Sequence, residues 1–287
     1  MPHLPVNGES LGATGVERSP GGKAANQIVA AARLGSPTAF IGTVGHDPGD
    51  SDPSQVLRDE GVDVRFLRRD PRNNGFSVIL LTPEGDQVIV TDNGPGSEIA
   101  VEPTLRALAS LAAQILLVQG ETDPAATLQV AHEFTGTVIF DPSPAAPFVG
   151  ADLAFVTVLT PNAGEADTLA GRVGATAADV RIATGAQNVV VTRGGRGAEV
   201  STGDGDYFVP APEAVVADPS GAGDAFNGAM AGELLRGSNL RGAVELGVRA
   251  AAFSVSRYHC IPSFPRAEDL VSLSARGVAG EIERSVG

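Results

Sequence analysis

The chain has a single cysteine, Cys260, so it has no internal disulfide. Its four histidines, His3, His46, His132 and His259, are scattered without the spacing of metal ligands. Positive charge is scarce as well. Twenty Lys and Arg stand against 34 Asp and Glu, a formal net charge of -14, which speaks against a broad electrostatic footprint for nucleic acid or an anionic membrane. No apolar run approaches the roughly 20 residues of a membrane span. The first stretch, MPHLPVNGES, has neither the basic nor the apolar region of a secretory signal. A cytoplasmic protein is therefore expected, with no nucleic-acid or membrane partner. Three familiar signatures are missing too: the G-x-x-x-x-G-K-[ST] phosphate loop, a G-x-G-x-x-G turn after a predicted strand, and the G-x-S-x-G elbow of hydrolases. What remains is 287 residues that are 43% apolar, enough to bury a proper core in one large α/β domain or two ordinary ones.

Short β-rich runs alternate with Ala/Leu-rich helical ones. TAFIGTVG, AQILLVQGE, TVIFDPS, AFVTVLTPN and NVVVTRGG read as buried strands, most of them ending in Gly, Pro or Asn. GGKAANQIVAAARLG, SEIAVEPTLRALASLAA and GDAFNGAMAGELLRG carry helical spacing, the last with Phe226, Met230 and Leu234 on one stripe. The alternation predicts a doubly wound, mostly parallel sheet with ligands at the C-terminal ends of its strands. GFSVILLTPEGDQVIVTD and GAEVSTGDGDYFVPA read as hairpins, the first projecting from the sheet as part of a lid.

The most informative stretch is ADPSGAGDAFNGAMAG, residues 217–232. Gly221, Ala222 and Gly223 place no bulky side chain ahead of a helix, so its unpaired N–H groups can reach an anion. Asp224, in the first helical turn, would face the same space and accept a proton from a hydroxyl attacking phosphorus. In a loose phosphoryl-transfer transition state little proton removal is needed early, so an aspartate suffices. A Gly-rich turn whose aspartate merely faces the helix dipole accounts for these residues alone equally well.

Taken with GGKAANQIVAAARLG, TPNAGEADTLAG, VVVTRGGRGAEV and IPSFP, in that order, the loop resembles the ribokinase branch of the PfkB carbohydrate kinases over nearly the whole chain. The resemblance implies a three-layer doubly wound sheet with a small β lid, the lid at residues 1–18 and 68–92 and the α/β core at 19–67 and 93–287. It implies ATP-dependent phosphorylation of a primary hydroxyl on a small sugar, ribose first, with ATP and Mg²⁺ as cofactors. Gly221, Ala222 and Gly223 would form the anion hole and Asp224 the general base. Gly21, Gly22, Lys23, Asn26 and Glu121 would bind the sugar. Asn162, Thr192, Gly194 and Gly223 would contact the nucleotide. Glu165 would organise Mg²⁺ through water, although Asn162 and Glu165 also read as a helix cap. Asp218 and Ser220 would sit at a monovalent-cation site, usually K⁺. A homodimer through the lid is the assembly the resemblance allows.

Two departures accompany it. His259 and Cys260 stand where ribokinases usually have a Gly-Ala pair, which leaves K⁺ activation open. The segment LPVNGESLGATGVERSPGGKAANQ resembles the family from its first lid strands onward, so an apolar strand ending in a sugar-binding Asn/Asp pair is expected to be missing. Another sugar or a nucleoside as substrate, or a catalytically weak sugar/nucleotide-binding protein, are the alternatives.

Overall fold

The computed structural model describes residues 1–46, 52–82 and 87–270. Its elements run α1 (Lys23–Arg33), β1 (Ala39–Val44), α2 (Pro53–Asp59), β2 (Asp63–Arg69), β3 (Phe76–Leu81), β4 (Gln87–Asp92), α3 (Val101–Leu111) and β5 (Ile115–Gln119). There follow α4 (Pro124–Glu133), β6 (Thr137–Asp141), β7 (Val158–Leu159), α5 (Ala163–Ala170), α6 (Ala177–Thr184), β8 (Asn188–Thr192), β9 (Gly197–Thr202), β10 (Gly205–Pro210), α7 (Ala222–Leu235) and α8 (Leu240–Ser254).

The main sheet has the order β10-β9-β8-β7-β6-β5. Strands β5 to β8 pair in parallel, and β8 to β10 antiparallel. Its strands are apolar on both faces because helices cover both. Val138, Phe140, Val189 and Val191 pack with Ala166, Leu169 and Val180 of α5 and α6. Ile139 and Val190, one residue out of phase, pack with Phe226, Met230 and Val244 of α7 and α8. This period of two across two buried faces makes the three layers. A third cluster joins Val29, Ala225 and Ala229 and so fastens α1 to α7.

Most strands fall where their apolar runs predict, but AFVTVLTPN contributes only Val158 and Leu159 to the sheet. The reading singled out no element for α2, β2, α4, α6 or α8. In the expected lid the structure differs in detail. Residues 1–22 form no strand, and residues 68–69 end β2, which pairs with β1. The lid's strands are β3 and β4 alone, an antiparallel hairpin whose turn lies outside the described residues. The segment at residues 1–22 is tied to it where the Met1 amino group donates to the Leu81 carbonyl at 3.2 Å.

The parallel sheet is in two pieces. The β1–β2 pair shares no ladder with β5, and their facing edges line one large cleft, with Ile41 and Thr43 on one side and Leu116 and Val118 on the other. Among the described residues no helix is long and apolar enough to cross a membrane.

Candidate active site

Two helices begin at this cleft with bare N-termini. Gly22 precedes α1 at φ 95° and Gly221 precedes α7 at φ 78°, and neither helix has a side-chain cap. The left-handed backbone suits glycine. At Gly221 a Cβ would also come within 3.1 Å of Cys260, so the loop fits against its neighbour only without one. First-turn N–H groups of a helix lack an intrahelical partner, so the start of α7 can offer donors to an anion, although the Ala222 N–H also donates to the Pro219 carbonyl at 3.3 Å. On α1 the carboxylate of Glu121 accepts from the Lys23 N–H at 3.3 Å, tying the end of β5 to the helix start.

Asp224 is buried between the two helices. Its Oδ2 accepts from Asn26 Nδ2 at 2.9 Å and its Oδ1 from Gln27 Nε2 at 3.1 Å. Gln27 Nε2 also donates to Asp141 Oδ2 at 2.7 Å, and Gln27 Oε1 accepts from Gln119 Nε2 at 3.2 Å. Lys23 Nζ lies 3.6 Å from the same Asp141 oxygen. Burial raises the carboxyl of Asp224 above its usual range, while Lys23, Asn26 and Gln27 pull the other way. Burial pushes Asp141 up to about 7, Lys23 opposes it, and the charges of Asp224 and Glu165 add to it. Glu121 is raised by burial in the same way. For Lys23, burial works against the charge, but Asp141, Asp224, Glu121 and Glu165 together hold the ammonium above the usual lysine range.

Asn162 and Glu165 start α5 as a capping box. Asn162 Oδ1 accepts from the Glu165 N–H at 3.0 Å, and Glu165 Oε2 accepts from the Asn162 N–H at 2.8 Å. The cap is therefore real. It leaves Glu165 Oε1 without a hydrogen bond among the described residues, which fits a group reaching hydrated Mg²⁺ through water. Thr192, at the end of β8, bridges to Asn162, and its N–H donates to the Pro161 carbonyl at 3.0 Å. Gly194 follows at φ 57° with open space beside it.

Asp218 and Ser220 are joined to their own loop and to a neighbouring one. Asp218 Oδ1 accepts from the Ser220 N–H at 2.8 Å and Oδ2 from the His259 N–H at 2.9 Å. With both oxygens bound to backbone, Asp218 is a strap between the anion loop and the loop at 256–264. No cluster of three His, Cys, Asp or Glu suited to a metal occurs among the described residues. Each Asp218 oxygen keeps a second lone pair beside its backbone hydrogen bond, so the carboxylate can still accept a further ligand. His259 itself holds φ 68° and pairs with Glu17 at 3.0 Å, so its side chain points to the segment before α1. The Cys260 thiol is pushed up to about 11 by burial and by the nearby charges of Asp224 and Asp218, which makes it a poor nucleophile.

Gly21, Gly22, Lys23, Asn26, Glu121, Asn162, Thr192, Asp218, Ser220, Gly221 and Gly223 thus line one cleft; Asp224 is buried beside it against Asn26, and Ala222, Glu165 and Gly194 are not part of the lining. Three were missed: Gln27, Gln119 and Asp141. Asp141 had a signal, since TVIFDPS puts a carboxylate at the C-terminal end of a buried strand. Gln27 lies beside Asn26 but reads as a polar break in a core helix, and nothing in the sequence shows what it meets.

A buried carboxylate at the open start of a helix, in a three-layer α/β fold, is an arrangement suited to group transfer beside an anion. The chain belongs to the pfkB family of carbohydrate kinases, whose pattern matches residues 4–267. It is 30% identical over 275 residues to the ribokinase of Bacillus subtilis, covering 93% of each chain. The solved ribokinase of Thermotoga maritima superposes with a TM-score of 0.84 at 29% identity, over 96% of this chain and 94% of that one. An Arabidopsis thaliana ribokinase solved with ribose and ATP gives 0.78 at 25% identity, over 95% and 93%. The chain is accordingly a carbohydrate kinase of the ribokinase fold.

Proposed function

We propose that this protein transfers the γ-phosphoryl group of ATP to the primary hydroxyl of ribose, with Asp224 as the base. The observation that carries the reading is the Asp224 carboxylate in the first turn of α7, buried without an ion-pair partner among the described residues and held by the amides of Asn26 and Gln27. The ribose oxygen attacks Pγ, the new O–P bond forms as the bond to the ADP oxygen breaks, and the hydroxyl proton passes to Asp224. The N–H groups of Gly221, Ala222 and Gly223 stabilise the charge on the transferring group. Asn26 Oδ1 is buried without a partner, an acceptor suited to a sugar O–H. Gly21, Gly22, Lys23 and Glu121 complete that wall. Asn162, Thr192 and Gly194 face the nucleotide. When bound beside Glu165, Mg²⁺ neutralises phosphate charge.

The test is ADP release in a coupled assay over ribose, deoxyribose, fructose and adenosine. Ribose should give the highest kcat/KM. Release with none of them from folded protein would move the reading to a sugar- or nucleotide-binding protein.

A homodimer through the lid is part of the same reading. Both faces of the hairpin expose apolar residues, among them Phe76, Ile79, Ile89 and Val90, more than a lone hairpin keeps in water. Sedimentation should give twice the chain mass, and Val90→Glu should halve it.

A further inference from the structure

Asp141 is a fully buried carboxylate that the transfer step above does not use, and it lies where two of the step's groups meet. Its Oδ2 accepts from Gln27 Nε2 at 2.7 Å and stands 3.6 Å from the Lys23 ammonium. The one NH₂ group of Gln27 spans Asp141 and Asp224, and its orientation is set by Gln119 Nε2 on the far side. Turned over, the amide would set its oxygen against two carboxylates and its NH₂ against that of Gln119. Two buried carboxylates, Asp141 and Asp224, and the half-buried Glu121 and Glu165 act on one ammonium. Among the described residues Lys23 pairs with Asp141 and not with Asp224. That choice matters. An ammonium seated on Asp224 would cover the oxygen face the attacking hydroxyl needs and would weaken the base.

We propose that Asp141 is a positioning residue for phosphoryl transfer: it holds the Lys23 ammonium and one Gln27 N–H, so that Asp224 stays an open, amide-oriented base instead of half of an ion pair. The proposal rests on the kinase reading above. Asp141 acts through Lys23 and Gln27 and need not touch the substrate. The groups that face it are Lys23 on α1, Asp224 on α7 and Glu165 on α5.

The experiment is a double-mutant cycle on Asp141→Asn and Lys23→Met, read in two ways. Carboxyl ¹³C NMR, with the Asp224 signal assigned by Asp224→Asn, follows the titration of Asp224. Lys23→Met should raise its midpoint by about one pH unit more in the Asp141→Asn background than in the wild type, because the freed ammonium has moved onto Asp224. Steady-state kinetics with ATP and ribose should show Asp141→Asn lowering kcat about tenfold or more, with the KM for ATP unchanged. An equal rise in both backgrounds, the result of simple charge deletion, overturns the proposal whatever the activity. If the wild type phosphorylates no acceptor, the kinase reading falls, and the NMR cycle still decides where Lys23 sits. Should Asp141→Asn fail to fold, Lys23→Met alone must raise the midpoint of Asp141 more than that of Asp224; the opposite order refutes the assignment.

Discussion

The two halves of the main layer are built to different standards. Around β8 every apolar position is sealed: Val189, Val190 and Val191 are all 0% exposed, with the short β7 on one side and the longer β9 on the other. Around β1 and β5 the strands are mostly half-buried, and each has an edge that faces the cleft instead of another strand. The β3–β4 hairpin is more exposed still. Asn162 and Thr192, proposed to face the nucleotide, stand on the sealed half, while Glu121 and the start of α1 belong to the open one. Asp224 lies at the seam, where α1 packs on α7. Rigid placement therefore comes from one side and access from the other, a division expected where a substrate must enter and a base must not move.

Removing the proposed base at the seam should have the largest effect. Asp224→Asn should lower kcat by about 10²-fold or more while the circular dichroism spectrum and ATP binding persist. Near wild-type turnover in that variant would show that Asp224 is not the base.

The next contrast sets the halves directly against each other. Leu159→Ala, at a fully buried site on β7, should cost about 2–5 kcal/mol in urea unfolding. Ile41→Ala, on a half-buried edge, should cost clearly less because its side chain already faces the cleft. Equal losses would mean that the cleft wall is as tightly packed as the core.

A smaller effect tests the charge at the seam. Asp141 is raised from 3.8 to about 7 on folding, so the folded protein favours its protonated form. Its contribution to stability is fully present below about pH 4 and is lost as pH rises through about 7. Paired surface carboxylates such as Asp52 shift the opposite way, so the measurement is a difference. Melting curves of the wild type minus those of Asp141→Asn should decline between these pH values. A flat difference would place Asp141 in a more hydrated site than the structure gives it.

On the sealed side, Asn162→Ala removes the side-chain half of the α5 capping box and should cost about 1 kcal/mol. No loss in thermal unfolding would leave the box without a structural role. Least of all should the rate respond to K⁺, because His259 and Cys260 put bulkier side chains in the loop that Asp218 straps. Rates in KCl and in a large tetraalkylammonium salt at equal ionic strength should be close. A strong dependence on K⁺ would show that the Asp218 carboxylate takes a cation beside its two backbone bonds.

Much of this site was legible before any fold was known, and the reason is locality. The glycines before α1 and α7, the Asn162–Glu165 cap and the aspartate in the first turn of α7 are all set by residues within four positions of one another. Strand ends were legible too, since apolar runs of five or six residues stop at Gly, Pro or Asn. The short β7 was overestimated because an apolar run does not show how much of itself finds a partner. What only the tertiary structure decided are the long-range meetings: Gln27 with Asp141, 114 residues away, and Asn26 with Asp224, 198 residues away. No periodicity encodes these pairs. They arise because α1 packs on α7 through Val29, Ala225 and Ala229 and carries its amides to the carboxylates. The break between β1 and β5 was decided there as well, since strand pairing depends on which edges are brought within hydrogen-bond reach and not on the apolar pattern of either strand. The sequence by itself determined which residues could do the chemistry; packing determined that one amide holds two carboxylates, because buried polar groups must find partners wherever the helices bring them.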